Sequence, residues 1–378
     1  MRFKVGRDTL SEAVQWSARA VPQRPAVAVL AGVRLHAADG VLELSSFDYE
    51  LSARSQVEAE VETPGEVLVS GRLLAEICRS LPNRDVIMEL ADNHLQIRCG
   101  NSEFSLSTMN LEDYPTLPQM PPVQGKVDSA ELARALQQVS VAASREEALP
   151  LLTGLKLVIS GPQITLLATD RYRLAMRTLE WEPKDPSLQA ELLVKSKVLA
   201  DVAKSMAAAG EVELALSELS DNSRNSMIGF SAGGRQATSV LMDGDYPPVM
   251  KLFPDETPLT YTVNRQELLE AVRRVSLVAE RKTSVRLTFA DGVLTLEAGH
   301  GESASAQEAV GLAASAEDLQ TAFNPQFLQE GLAITDTEYV QFGFTHPTKA
   351  AVMCGLAGPN EPIDERFKYL LMPIRFGI

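Results

Sequence analysis

The chain has 378 residues, 45% hydrophobic and 22% charged, with a net charge of −15. This is the composition of a globular protein with two or three cores, and no apolar run approaches the roughly 20 residues that a bilayer-spanning helix needs. Cys78, Cys99 and Cys354 are too few and too scattered for a disulfide framework or a zinc site. The chain opens on strand-like Phe3-Lys4-Val5 without a signal-peptide pattern, so a cytoplasmic protein is expected, with no membrane partner and no cofactor.

The first element is a short strand followed by a helix, with small or apolar residues at Val5, Leu10, Ala13, Val14, Ser17, Ala18 and Val21. These fall on one face of an amphipathic helix. The pattern returns at Val127, Leu132, Ala135, Leu136, Val139, Ser140 and Ala143, and again at Val263, Leu268, Ala271, Val272, Val275, Ser276 and Ala279. Threefold internal repetition therefore organises the chain.

Each copy continues with a hairpin: Gly32 to Leu35 and Val41 to Leu44 around Asp39-Gly40, Gly154 to Leu157 and Ile164 to Leu167 around Gly161-Pro162, and Ser284 to Leu287 and Val293 to Leu296 around Asp291-Gly292. Asp-Gly between alternating runs is a strong hairpin signal. A second helix follows in each, beginning near Ser70, Ser196 and Asn324, residues suited to a helix N-cap or the turn before it. Asp113-Tyr114-Pro115 and Asp245-Tyr246-Pro247 mark the seams, which gives domains at 1–122, 123–254 and 255–378. The fold class is α+β, with three similar domains, each two helices packed on antiparallel sheets.

Exposed loops are expected at Trp181 to Pro186 and Ser217 to Ser226, and a mobile one at Gly355 to Glu365. The terminal strand should end by Met372, near an edge or groove, since Pro373 has no N–H to donate.

Charge is unevenly divided. The six helix windows together carry +2 and the remainder −17, so helices alone could build a mildly positive surface on a molecule that otherwise repels phosphate.

Catalytic signals are weak. Gly229-Phe230-Ser231-Ala232-Gly233 has the Gly-x-Ser-x-Gly form of a hydrolase elbow, but a strand pattern follows where that elbow requires a helix. His36, His94, His300 and His346 show no metal-ligand spacing, and no phosphate-binding loop occurs. A serine hydrolase using Ser231 and a repeat scaffold without DNA remain as alternatives.

Leu151-Leu152-Thr153-Gly154, Ala168-Thr169-Asp170-Arg171-Tyr172-Arg173-Leu174, Asp243-Gly244-Asp245-Tyr246-Pro247 and the ending Tyr369-Leu370-Leu371-Met372-Pro373-Ile374-Arg375, set on the triplicate layout, resemble the bacterial DNA polymerase III beta subunit, the sliding-clamp family. The resemblance spans the whole chain. It implies a non-enzymatic processivity factor: three clamp domains forming half of a ring, closed head to tail as a homodimer around double-stranded DNA. Size agrees with two chains. Helices packed about 10 Å apart and about 10 Å thick leave six of them no room for a duplex, whereas twelve leave a lumen of roughly 28 Å.

By position in the family pattern, DNA contacts fall to Arg24, Arg72, Lys195, Lys197, Arg265, Arg281 and Lys282. A groove between the second and third domains would take short linear motifs of the polymerase catalytic subunit, the clamp loader and other repair and replication enzymes. Its candidates are Leu152, Gly154, Thr169, Arg171, Tyr172, Arg173, Leu174, Pro247, Lys251, Leu252, Asn324, Phe327, Leu370, Leu371, Met372, Pro373, Ile374 and Arg375. Lys251, Val249-Met250 and the Phe376-Gly377-Ile378 extension depart from the family pattern, as a specialised second clamp would.

Overall fold

The computed structural model describes residues 1–217, 226–279, 284–299 and 304–374. Among them are six α-helices: α1 (Arg7–Ser17), α2 (Gly71–Ser80), α3 (Ser129–Ser140), α4 (Ser196–Met206), α5 (Arg265–Val275) and α6 (Pro325–Ile334). They fall within or at the edge of the six windows read from the sequence, two per repeat. Asn264 and Asn324 cap α5 and α6, each side-chain oxygen accepting two first-turn N–H groups, and Ser70 caps α2. Ser196 instead lies inside α4 as its first residue.

One device is repeated in all three copies. The first residue of each leading helix donates to carbonyls at or just beyond the end of its companion: Arg7 to Leu81 and Arg79, Ser129 to Ala207, and Arg265 to Thr337 and Leu332. These carbonyls lack intrahelical partners, so a side-chain donor satisfies them.

The contacts divide the chain into two compact units. The first comprises Met1–Ala133, Trp181–Pro186 and Lys197–Leu241 and carries a 14-stranded sheet. The second comprises Arg134–Glu180, Ser187–Ser196 and the chain from Met242 onward, with a 12-stranded sheet. The central repeat therefore contributes strands to both units. In the first, Leu51–Glu58 pairs antiparallel with Arg235–Val240; in the second, Arg173–Glu180 pairs antiparallel with Ile363–Leu371. Sheet continuity of this kind runs across the seams read at 122 and 254. In the first unit the core gathers Leu10, Val14, Leu35, Leu44, Leu74 and Met88 from α1, α2 and three strands of the first repeat. Each such side chain contributes about 1.5–3 kcal/mol on burial.

The hairpins form as read. Asp39-Gly40 and Asp291-Gly292 have positive φ at both positions, the geometry that lets a two-residue turn follow the twist of its strands. Ser231 lies within the strand Met227–Ala232, which turns at Gly233-Gly234 into Arg235–Val240. No helix follows, so the nucleophile-elbow geometry is absent here and the hydrolase alternative fails.

Two loop expectations change. Trp181 is buried and Glu182–Pro183 pairs with Gly125 and Lys126, so this segment belongs to a sheet; its indole sits where a Cβ on Gly125 would clash. The Gly355 to Glu365 loop shortens to 357–362, because Leu356 and Ile363 already pair across the hairpin. The terminal strand stops at Leu371, as Pro373 requires, and up to there it runs between Arg173–Glu180 and Ala351–Leu356. Within Ser217 to Ser226, residues 218–225 lie outside the described residues, as does His300.

Candidate functional site

The site grows from one tight turn. Asp170 Oδ1 accepts the backbone N–H groups of Tyr172 and Arg173, both at 3.0 Å, an Asx turn that reverses the chain. Thr169 Oγ1 accepts from Arg171 N at 3.1 Å and donates to the Arg173 carbonyl at 2.6 Å. Arg171 is forced to φ 82°, a conformation that costs a non-glycine residue free energy. The turn is held from behind by the Tyr246 hydroxyl, which accepts Thr169 N at 3.1 Å. Burial pushes that phenol up to about 12, so it stays protonated.

Beside the turn, Leu174 pairs with Leu370 and Leu370 with Val352, a row on one sheet face. With Leu152, Leu167, Leu193, Tyr246 and Val249 they form an apolar cluster. Met372 N donates to the Tyr172 carbonyl at 2.9 Å and Ile374 N to Ala322 at 2.8 Å, so the chain end is laced to the turn and to the strand before α6. Over this floor Tyr172 (52% exposed), Met250, Leu252, Met372 and Ile374 present apolar side chains to solvent. Exposed apolar residues gathered over an apolar floor mark a binding surface.

The sequence candidates sort by depth. Leu152, Gly154, Thr169, Arg173, Leu174, Leu370 and Leu371 are buried and form floor and wall. Asn324, Phe327 and Pro373 are half-buried, while Arg171, Tyr172, Pro247, Lys251, Leu252, Met372 and Ile374 are exposed. Gly154 is required by closeness: a Cβ there would stand 2.7 Å from Met242 Sδ and 2.9 Å from Leu193 Cδ1. Arg375 lies outside the described residues.

Sequence reading passed over Tyr246, Met250, Val352, Glu330 and Tyr369 as groove residues. Tyr246 had a signal in the twice-written Asp-Tyr-Pro seam, and Tyr114 of the first copy likewise accepts Phe47 N at 2.9 Å. Tyr369 stood in the quoted chain-end motif without being assigned to the groove, and Glu330 had no signal, since only the fold brings it to Arg173.

Arg173 is 4% exposed. It donates to Asp170 at 2.9 Å, to Tyr369 Oη at 3.2 Å and to Glu330, and its guanidinium carbon stands 4.3 Å from the Phe327 ring centroid. Burial opposes its charge, but Tyr369 and Glu330 outweigh that and hold it above the usual arginine range. Glu330 is held below the ordinary carboxylate value: burial works against this, but hydrogen bonds from Gln326 and Arg173 prevail.

The basic candidates are less uniform. Arg72 is exposed on α2, 3.4 Å from Glu76; Arg24 is exposed in the segment after α1, and Lys197 is exposed in the first turn of α4. Lys195 ends the strand Gln189–Lys195 and is half-buried. Arg265 is engaged by backbone carbonyls near the end of α6. Arg281 and Lys282 lie outside the described residues.

Repeated helix pairs on long antiparallel sheets, with an apolar groove at a strand seam, define a docking scaffold of the clamp fold. Models of the DNA polymerase III beta subunit match this chain over residues 1–118 for the N-terminal domain, 126–248 for the central domain and 250–375 for the C-terminal domain. The chain belongs to that family, and it is a sliding clamp made of three clamp domains. It is 47% identical over 377 residues to the beta sliding clamp of Streptomyces coelicolor, covering 100% of both chains. It is 50% identical over 310 residues to that of Micrococcus luteus, covering 82% of this chain and 98% of the relative. Its structure is similar to the sliding clamp of Pseudomonas aeruginosa bound to griselimycin, with a TM-score of 0.89, 27% identity and 100% coverage of both. The repeat-scaffold alternative without DNA gives way to this membership. No helix among the described residues is long and apolar enough to cross a membrane.

Proposed function

We propose that two copies of this chain close head to tail into a ring around duplex DNA, and that the ring tethers the replicative polymerase through the groove built on Leu174, Leu370 and Met372. The observation that carries the closure is a pair of open strand edges. Leu51–Glu58 and Arg173–Glu180 are equivalent strands of the first two repeats, and each is paired by the last strand of the following repeat. Their third-repeat equivalent is Ala306–Ala314, whose outer edge from Ala306 to Gly311 has no strand partner among the described residues. The corresponding last strand of the first repeat is Ser102–Met109, open from Ser102 to Ser107.

A second chain supplies what is missing, since an open edge is a template for pairing. Carrying over the register of the first seam sets Ser102 opposite Glu308 and Phe104 opposite Ala306. The helices agree. Arg19, at the end of the first helical stretch, bonds Asp201 of α4 at 2.6 Å; its third-repeat equivalent is Leu277, 85% exposed. The equivalent of Asp201 on α2 is Glu76, one turn from exposed Leu73. Leu277, Leu73 and Phe104 then bury one another at a heterologous interface, which closes as a ring.

In that ring Arg24, Arg72, Lys195 and Lys197, with Arg281 and Lys282, touch phosphates weakly and without reading sequence, which permits sliding. Arg265 serves α6 first. Domain limits at 122 and 254, the absence of catalytic residues, a cytoplasmic location and groove binding by the clamp loader and other DNA enzymes belong to the same reading. Retention on nicked circular DNA, with loss from the same DNA after linearisation, tests it; equal retention on both refutes enclosure.

A further inference from the structure

We propose that Arg173 does not contact the bound partner but is a positioning residue, which with Glu330, Tyr369 and Phe327 clamps the Asp170-Arg171-Tyr172 turn to α6 and so sets the groove wall. The inference rests on the groove reading above and assigns a role within it.

The chain contains its own control. The seam of the first unit repeats the architecture of the seam in the second: Asp48 Oδ1 accepts from Glu50 N and Leu51 N, Tyr49 takes φ 72°, and Val240 N donates to the Glu50 carbonyl as Met372 N does to Tyr172. The same turn and the same strand pairing therefore form without an arginine network. By register, Leu51 stands for Arg173, Ala237 for Tyr369, Val198 for Phe327 and Asp201 for Glu330, and Asp201 bonds Arg19 instead. The fold does not require the network, so its presence at one seam alone answers to what that seam binds.

The floors differ in the same sense. Where Leu174, Leu370 and Val352 make an apolar row, the first seam has Ser52, Thr238 and Gly229. Ser52 and Thr238 share a hydrogen bond at 2.7 Å, and a Cβ on Gly229 would lie 2.6 Å from Met120 Sδ. The seam connector thus packs onto the sheet at the first seam. Its counterpart Leu252 is exposed. One seam is covered by its own connector; the other keeps an apolar floor, an exposed connector residue and the Arg173 brace.

The bracing reaches the groove surface through aromatic rings. Arg173 faces Phe327 at 4.3 Å, Phe327 stacks on Tyr172 at 6.3 Å between centroids and 27° between planes, and Arg171 lies 5.6 Å from the Tyr172 ring. Cation–π and stacking contacts are directional, so moving Arg173 turns the Tyr172 ring at the mouth. Asp170 and Glu330 hold Arg173 from two sides, and truncating either leaves a buried guanidinium short of partners.

The test is binding of the fluorescein-labelled polymerase catalytic subunit to the full-length clamp, by anisotropy, for wild type, Glu330→Gln, Arg173→Lys, the double variant, Asp201→Asn and Met372→Asp. Glu330→Gln is expected to weaken binding about tenfold, the equivalent of one charged hydrogen bond. The double variant should be no more than about twofold weaker than the worse single one, because both act on one unit. Asp201→Asn, its first-seam counterpart, should bind as wild type. A fluorine label on Tyr172 should shift in Glu330→Gln and not in Asp201→Asn, a response that general destabilisation does not give. Unchanged binding by Glu330→Gln, or losses that multiply in the double variant, overturns the positioning role while Met372→Asp still abolishes binding. If Met372→Asp also binds normally, the groove reading itself falls, and this role with it.

Discussion

The hydroxyl of Tyr246 accepts the backbone N–H of Thr169 at 3.1 Å, fastening the connector between repeats to the Asp170–Arg173 turn. Removing that acceptor in Tyr246→Phe leaves a buried N–H unsatisfied, at a cost of about 1–3 kcal/mol. Chemical denaturation should show the loss, and polymerase binding should weaken. Tyr114→Phe removes the matching bond to Phe47 N in the first unit. It should lose similar stability while binding is unchanged.

Leu277 is the most exposed large hydrophobic residue among those described. Leu277→Asp and Phe104→Asp, separately, should convert the dimer to monomers in sedimentation without lowering the melting temperature of the monomer. A mixture of the two variants should not recover dimers with two intact interfaces. Dimers that persist in both variants would refute the edge pairing.

Glu330 fixes the sign of one pH dependence. Its folded value lies below the ordinary carboxylate value, so its contribution is complete above the unfolded value of about 4.3 and is lost as pH falls through the folded one. The melting temperatures of wild type and Glu330→Gln should therefore differ at pH 7 and at pH 5, and converge as pH falls through the folded value.

Arg265 and Lys197 should separate fold from function. Arg265→Ala removes donors to the Thr337 and Leu332 carbonyls and should cost about 1–2 kcal/mol in unfolding, with DNA retention little altered. Lys197→Ala should do the reverse: unchanged stability, and a shallower dependence of DNA retention on salt.

Cys78 and Cys354 are buried, and burial pushes their thiols up to about 12 and about 11. Only thiolate reacts with iodoacetamide. At pH 8 neither should label in the native protein, and both should label after unfolding, as mass spectrometry of the peptides would show.

Periodicity and turn chemistry carried most of the architecture. Leu10, Val14 and their equivalents lie on helices because the 3.6 period has no competing reading at that length, and Asp39-Gly40 and Asp291-Gly292 turn as hairpins because few other dipeptides take two positive φ values. What the pattern could not carry was depth and long-range pairing. Arg173 reads in sequence as a polar groove residue and is in fact buried, because Glu330 and Tyr369 reach it from 157 and 196 positions away. Trp181 reads as a loop residue because Pro183 and Pro186, which follow it, conceal the two-residue strand Glu182–Pro183. Family position named Arg265, yet only the fold shows that its guanidinium already has carbonyl partners.

The two open edges, Ser102 to Ser107 and Ala306 to Gly311, belong to different surfaces, so neither can mate with its own copy by a simple twofold clasp. Until a ring closes, each added molecule leaves one donor end and one acceptor end. A ring forms where the rotation from one molecule to the next closes, and a spiral polymer where it does not, so the geometry held by the seams within each molecule sets the outcome. Loosening Leu51–Glu58 from Arg235–Val240, for example with a proline at Thr238, should yield fibres in place of discrete particles.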